Sequence, residues 1–440
     1  MPRPLMKIVT RVIGFLIFLC LFVGVAGSVF AVSTGWAYEL FPGLPEPPSL
    51  QTGGGLPGEA AADTEENEPR FGLPQTLLPG ESVPLRNEVN IRPLAAEIPT
   101  PQQVSVEPPI IATNVFLAVI MALIFGSCIT ILDDMLAEEQ GRIQAWLRAY
   151  RVDQLLPKIA DFATWSANRA IQQGCLTLPI VVVILAVYGI LFAFLEEGTS
   201  IFTRQGALLA VTMAFSVGIV SFAGDIVRRV LGRLWKARSS FNLYPFSLLI
   251  ALLTVGVSRV FALTPGIAFG VPGGADVEIP AEKRERREVT LAMWTVAAIL
   301  FVGIAGWVIS GLTLSFIDAP IEERVAQAIG GIVSGVQNTS LLLWMVALET
   351  AFFTALPLAY GSGRVIFKWN KFVWILLFVP IAFAFNHVLL NPQSGFLDSF
   401  LNGNVRMMWA VLLALAGLTG GLWFYFNVID DILQEWVGLK

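Results

Sequence analysis

The chain has 440 residues, of which 55% are hydrophobic and only 14% are charged, with a formal net charge of −5 at pH 7. A soluble domain carries about 25% charged residues, so this composition excludes a disordered chain, a collagen, a disulfide-rich secreted scaffold and an ordinary cytosolic enzyme. The composition indicates a polytopic membrane protein that is embedded in the lipid bilayer. The sequence has no basic, aromatic-rich patch of the kind that binds nucleic acid.

The first predicted element is an N-terminal signal anchor at residues 1–33. Arg3, Lys7 and Arg11 precede an apolar core of about 21 residues, which is longer than the usual 7–15 residues of a cleaved signal peptide. We therefore expect an uncleaved span with a cytoplasmic N-terminus. Cleavage after Val29-Phe30-Ala31 is the alternative.

Residues 34–109 are predicted to form a disordered extracytoplasmic loop. The segment holds 14 of the 26 prolines, with eleven acidic residues against three basic ones. Proline lacks a backbone N–H and interrupts helices, and a Pro-rich, acidic composition is typical of extended chain. The excess of acidic residues places this loop outside.

Residues 110–440 are predicted to form a transmembrane helical bundle. A spanning helix needs about 20 apolar residues, and backbone groups in lipid must bond within their own helix. The expected fold is therefore an all-α bundle of about eight spans, the signal anchor included. The apolar runs lie near 12–32, 111–132, 175–195, 206–224, 289–316, 339–360, 372–391 and 407–427.

A cytoplasmic segment at 133–174 separates two of these runs. Ile143, Trp146, Leu147 and Tyr150 form one helical stripe. This pattern predicts an amphipathic helix that lies along the membrane interface, packs under the bundle or recruits a partner.

The apolar stretch 243–273 does not fit a simple span. As one helix, its 31 residues would reach about 46 Å, and Gly256, Ser258, Arg259 and Pro265-Gly266 interrupt it. Positive charge marks the cytoplasmic side, yet a single crossing would place the basic residues of 283–287 and 364–371 outside. A re-entrant hairpin removes both conflicts, so we favour it over a tilted helix with Arg259 at the interface.

Three polar residues within the apolar runs are the candidate functional residues. Glu349 has no charged neighbour within eight positions, and charges at membrane depth usually carry function. His387 is the only histidine and lies in the next span. If the two spans are antiparallel and turn near residue 366, Glu349 would lie close to His387. Such a pair could relay protons or could form a structural hydrogen bond. Arg259 of the broken stretch is the third candidate.

Two weaker candidates accompany them. Asn386 adjoins His387, and Asp225 precedes Arg228 and Arg229 at helical spacing, which is typical of a paired membrane edge. A single histidine excludes an HExxH zinc site, and phosphate-binding and dinucleotide motifs are absent from the sequence. We therefore expect no enzyme, no cofactor and no metal site, with an intramembrane hydrolase as a remote alternative.

Two stretches resemble a known family. Ala347–Gly363, which reads ALETAFFTALPLAYGSG, is similar to the segment that names the bacterial FGLLP motif-containing membrane proteins, and Phe367–Pro392 resembles the stretch that follows it. Ser258-Arg259 with Pro265–Gly270 resembles their serine-arginine and proline-glycine-aromatic signatures. At the namesake motif this chain reads FTALP, and isoleucine follows Pro265-Gly266 where the family has tyrosine. The resemblance spans roughly residues 110–395 and implies a bacterial plasma membrane without implying an activity.

Two functions are compatible with these patterns. The first is a non-enzymatic envelope scaffold or assembly component that binds other membrane or envelope proteins through its acidic loop and its amphipathic helix. The alternative is a small-solute or proton-coupled transporter or channel that uses the 243–273 element with Glu349 and His387. Oligomeric state, substrate and partner identity do not follow from these patterns.

Overall fold

A computed structural model describes residues 94–138, 177–196, 201–261, 263, 265–280, 282, 284–317, 323–358, 361–395 and 403–426. Nine α-helices, a 3-10 turn at Ala95–Glu97, a π-helical turn at Phe385–Leu390 and two short strands occupy these residues. The helices are α1 Pro108–Glu138, α2 Thr177–Ala193, α3 Arg204–Leu234, α4 Pro245–Val260, α5 Arg284–Ile317, α6 Glu323–Ala355, α7 Ser362–Trp369, α8 Lys371–Ala384 and α9 Gly403–Phe424. The strands are β1 Ser239–Leu243 and β2 Gly273–Val277.

Six of the described helices are long and apolar enough to cross a membrane: α1, α3, α5, α6, α8 with the π-helical turn Phe385–Leu390 that continues it, and α9. The all-α, multi-pass architecture is thereby confirmed. The count of eight spans is not confirmed. The run near 175–195 forms α2, which has only 17 residues, and the run near 12–32 lies outside the described residues.

The helices pack around one apolar core. α5 and α6 form the most extensive pair, α3 packs against both, and α2 packs against α3. On the other side, α1 contacts α8 and α9. Trp374 and Phe378 of α8 stack with ring centroids 4.9 Å apart, and both are fully buried. This packing gives the bundle a closed interior, in which any polar group needs a partner.

The stretch 243–273 turns back on itself. β1 and β2 pair in antiparallel register with Leu243 opposite Gly273, so the stretch begins and ends at the same place. Between them, the 16 residues of α4 rise about 24 Å. Residues 265–272, here called the return limb, can reach about 26 Å when extended. The return limb is therefore long enough to run back along α4, and we call residues 239–277 the hairpin.

The basic clusters lie together at one end of the bundle. The Arg287 guanidinium is 5.2 Å from the ring centre of Trp235, which joins the start of α5 to the end of α3. Arg364 of α7 pairs with Asp133 near the end of α1 at 2.5 Å. Thr354, near the end of α6, and Arg228, near the end of α3, line one cavity.

Residues 94–107 lie at the opposite end, because they contact the end of α5 and the end of α8. Trp307 Nε1 donates to Pro99 O at 2.9 Å, and Gln102 Nε2 donates to Gly311 O at 3.2 Å. Leu94 and Ile98 are 4% and 1% exposed. The prediction of a disordered loop over 34–109 is therefore wrong for these residues, because Leu94, Ala95 and Ile98 belong to the apolar core of the bundle.

Three other predictions lie outside the described residues. They are the signal anchor at 1–33, the loop from 34 to 93 and the amphipathic helix within 133–174, of which only the end of α1 is described.

Candidate functional site

The return limb of the hairpin has no regular structure, and side chains of α4 bond to its backbone. Ile267 N donates to Ser258 Oγ at 2.8 Å, and Val271 N donates to Ser247 Oγ at 2.6 Å. Thr254 Oγ1 lies 3.4 Å from Phe269 O. Buried backbone N–H and C=O groups need such partners, and α4 supplies them from one face.

Two buried carboxylates from other helices hold the same chain. Glu349 of α6 is 1% exposed, and its Oε2 accepts a hydrogen bond from Ala268 N at 2.6 Å. Asp225 of α3 is 6% exposed, and its Oδ1 accepts from Ala275 N of β2 at 2.9 Å. Each carboxyl oxygen supplies the partner that a buried backbone N–H needs. α3 and α6 thus clamp the hairpin from two sides.

A cavity of about 50 Å³, lined by apolar and polar side chains and here called the polar cavity for its polar groups, lies between the return limb, α3, α5 and α6. A buried water needs roughly 10–15 Å³ of such space, so the cavity has room for a few waters or one small polar group. Asp225 belongs to its wall, whereas Glu349 does not. Its polar lining comprises Ser221, Asp225, Arg228, Thr295, Thr350 and Thr354.

The cavity brings opposite charges to one helix face. Asp225 and Arg228 are three residues apart on α3, and Ser221 precedes Asp225 by four. The Nε of Arg228 is buried and has no hydrogen-bond partner among the described residues. A carboxylate, a guanidinium and several hydroxyls can together orient water, carry a proton or bind a small polar group.

Glu349 and His387 do not pair, so the predicted contact is wrong. The prediction assumed a tight turn near residue 366 between two adjacent spans. Instead, α6 ends at Ala355 and the separate helix α7 occupies Ser362–Trp369. Residues of α6 and α8 that are equally far from residue 366 in sequence therefore do not lie at the same depth in the bundle.

His387 belongs to a separate polar cluster at the end of the bundle that carries residues 94–107. Its Nδ1 lies 3.0 Å from Asn114 Nδ2, and its Nε2 lies 2.9 Å from Ser105 O. Asn114 also donates to Asn391 O and accepts from Asn391 Nδ2, which fixes the direction of its amide. Nδ1 of His387 therefore accepts and Nε2 donates, which is the pattern of a neutral imidazole.

The other predicted residues are dispersed. Asn386 is fully buried, and its Nδ2 contacts Met121 Sδ at 3.4 Å. Arg259 is exposed in the last turn of α4, where a cation interacts favourably with the helix dipole. Of the five candidates, Glu349 and Asp225 both bond to the backbone of the hairpin, and Arg259 belongs to the hairpin itself.

Sequence reasoning missed most of the hydroxyl groups around the hairpin, although a signal for them exists. Ser247, Thr254 and Ser258 recur at seven and four residues, which places them on one face of α4. Thr350 and Thr354 are likewise one turn apart on α6.

The chain matches no protein-family model, no curated protein and no solved structure.

Proposed function

We propose that the protein is a small-solute transporter or channel of the bacterial plasma membrane that moves protons through the polar cavity beneath the hairpin. The supporting observation is the cavity wall itself. Non-helical backbone at membrane depth is tolerated only where protein surrounds it or where it lines an aqueous space, and the return limb packs against protein and lines this cavity. This favours the transport alternative over a purely structural role.

The orientation that we propose follows from charge. Basic residues mark the cytoplasmic side, so the end of the bundle with Arg228, Arg287 and Arg364 faces the cytoplasm, and residues 94–107 face outside. The hairpin then re-enters from the cytoplasmic side. Resemblance of Ala347–Gly363 to the FGLLP motif proteins supports the bacterial membrane, and membership of that family is part of the proposal.

The two clamping carboxylates have different roles in this proposal. Asp225 lines the cavity, so in this proposal it exchanges protons with water that enters the cavity. Glu349 lies outside the cavity and bonds to Ala268, so it positions the return limb. Hydroxyls such as those of Thr350 and Thr354 both donate and accept hydrogen bonds, which suits them to orient the waters.

Proton flux into proteoliposomes tests this proposal. A potassium diffusion potential set by valinomycin drives protons inward, and trapped pyranine reports the internal pH. Asp225→Asn keeps an acceptor for Ala275 N but removes the titratable group, so we expect flux to fall at least tenfold. Glu349→Gln is the matched control, because it removes a buried carboxylate that does not line the cavity. Its flux should stay within twofold of wild type.

Two results would overturn the proposal. One is wild-type flux equal to that of protein-free liposomes, and the other is unchanged flux in the Asp225→Asn protein. Thermal unfolding of both variants in detergent checks that the comparison involves folded protein.

A second candidate is the envelope scaffold. The observation that favours it is the firm attachment of residues 94–107 through Trp307, Gln102 and His387, which would present the preceding acidic loop to partners from a fixed point. Purification in mild detergent tests it: proteins that co-purify with the whole chain, but not after deletion of residues 45–85, would support a scaffold.

A further inference from the structure

The wall of the polar cavity contains one acidic and one basic side chain. Among the described residues that line it, only Asp225 and Arg228 have ionisable side chains, and the others are glycines, aliphatic residues and residues with a hydroxyl group. A ligand with a single charge would therefore meet a like charge at one of these two residues. A ligand that carries both charges can match them.

Both residues have hydrogen-bonding capacity left for a ligand. Asp225 Oδ1 accepts from Ala275 N, which leaves Oδ2 as an acceptor for a cationic donor. The buried Nε–H of Arg228 has no acceptor among the described residues. Together with a neighbouring Nη–H it forms an edge of the guanidinium fork, which binds both oxygens of a carboxylate.

The two residues are close enough for one small molecule to reach both. A Cβ added at Gly274 of β2 would lie 3.2 Å from Arg228 Nη1 and 3.4 Å from Asp225 Oδ1. A single added carbon would thus contact both groups. An α-amino acid carries its ammonium and its carboxylate on one carbon, which is the spacing that such a pair of residues requires.

The size of the cavity restricts the ligand to a few atoms. A buried water needs roughly 10–15 Å³ of such space, so the cavity of about 50 Å³ has room for only a few groups of that size. Glycine, the smallest amino acid, meets this limit, and alanine adds one methyl group. Amino acids with long side chains exceed it.

We propose that the polar cavity binds a small zwitterionic amino acid, with glycine as the best match. The carboxylate lies on the fork of Arg228, and the ammonium donates to Asp225 Oδ2. Hydroxyls such as those of Thr350 and Thr354 can serve the remaining donors and acceptors. Each buried charge then has a partner of opposite sign, which buried charges need. This inference rests on the proposed function, since it uses the same cavity and names the class of small solute.

Equilibrium binding of tritiated glycine to the purified full chain in phosphatidylcholine nanodiscs tests the inference. We expect saturable binding with which unlabelled alanine competes. Leucine should compete at least tenfold less well than glycine, because its side chain exceeds the cavity. Acetate and methylamine each carry only one of the two charged groups, so each should also compete at least tenfold less well than glycine.

Four variants connect this binding to the cavity. Arg228→Gln removes the guanidinium fork and Asp225→Asn removes the carboxylate, so each should weaken glycine binding at least tenfold. Gly224→Ala adds a methyl group to the cavity wall, 3.3 Å from Thr295 Cγ2, and should weaken binding at least fivefold. Gly417→Ala on α9 is the matched control, because a Cβ there meets no atom within 4 Å. It should leave binding unchanged.

Other outcomes would overturn the inference. Competition by acetate or by methylamine that equals competition by glycine would mean that only one of the two charges is recognised. Wild-type binding in the Gly224→Ala protein would mean that glycine binds elsewhere. Absent glycine binding with Asp225-dependent proton flux retained would overturn this inference alone. Saturable glycine binding without any proton flux would overturn the proposed function and leave a binding site for a zwitterion.

Discussion

Leu243 and Gly273 lie directly opposite each other in the antiparallel pair β1 and β2. Their pairing closes an apolar stretch that is long enough to cross a membrane, so that it returns to its starting point. Tyr244 N also donates to Pro272 O at 3.2 Å, next to the strand pair. The polar cavity exists because this closure places the return limb, rather than another helix, against α3 and α6.

Substitution at Gly270 should destabilise the hairpin. A Cβ at this position would lie 2.5 Å from Tyr188 Cε1 and 3.0 Å from Ala251 Cβ, and both neighbours are buried. Overpacking of this kind costs about 1–3 kcal/mol. We expect Gly270→Val to lower the midpoint of thermal unfolding in detergent.

Gly256 provides the matched control within the same hairpin. A Cβ there meets no atom within 4 Å, and alanine favours a helix interior over glycine by roughly 0.5–1 kcal/mol. Gly256→Ala should therefore leave the unfolding midpoint unchanged or raise it. Equal losses in both variants would argue against tight packing of the return limb on α2 and α4.

Glu349 should matter as a hydrogen-bond acceptor more than as a charge. Glu349→Gln keeps an oxygen for Ala268 N, whereas Glu349→Leu leaves that N–H unpaired in the core. An unpaired buried group costs about 1–3 kcal/mol. We expect faster amide hydrogen exchange across residues 265–272 in the leucine variant and near-wild-type exchange in the glutamine variant. Glutamine as damaging as leucine would show that the hairpin depends on the charge.

His387 should hold residues 94–107 against the bundle. His387→Phe removes the hydrogen bonds to Asn114 and Ser105, each worth about 0.5–1.5 kcal/mol. Amide hydrogen exchange at residues 99–107 should then rise several-fold. Asp133→Asn, at the opposite end of the bundle, is the control and should leave this exchange unchanged. Wild-type protection in the His387→Phe protein would contradict an anchoring role.

Local signals account for what could be predicted. Apolar runs predicted the six long helices, because hydropathy is a local property of the sequence. The basic residues near 283–287 and 364–371 predicted a broken element at 243–273. The contact of Glu349 with Ala268 could not be predicted, because every residue except proline has a backbone N–H and the sequence does not indicate which of them the carboxyl will bind. The same holds for the packing of residues 94–107, where proline content suggested disorder and buried apolar side chains decide the outcome.

The partner assigned to His387 failed for a related reason. The helix α7 lies between α6 and α8 in the chain, and its presence changes which residues of α6 and α8 lie at the same depth in the bundle. The short polar faces of α3, α4 and α6 were visible as spacings, yet only their convergence on the return limb makes them a site. Convergence depends on the three-dimensional arrangement, which spacing along one helix does not specify.

Single-cysteine labelling in intact and inverted vesicles distinguishes a hairpin that re-enters the membrane from a stretch that crosses it once. Cysteine replaces Ser240, Glu278, Lys368 or Val106, all exposed, in a chain without its three native cysteines, and a membrane-impermeant maleimide is the probe. We predict that positions 240, 278 and 368 label from one side and position 106 from the other. Labelling of 278 from the same side as 106, with 240 on the opposite side, would make the stretch a single span and contradict re-entry of the hairpin.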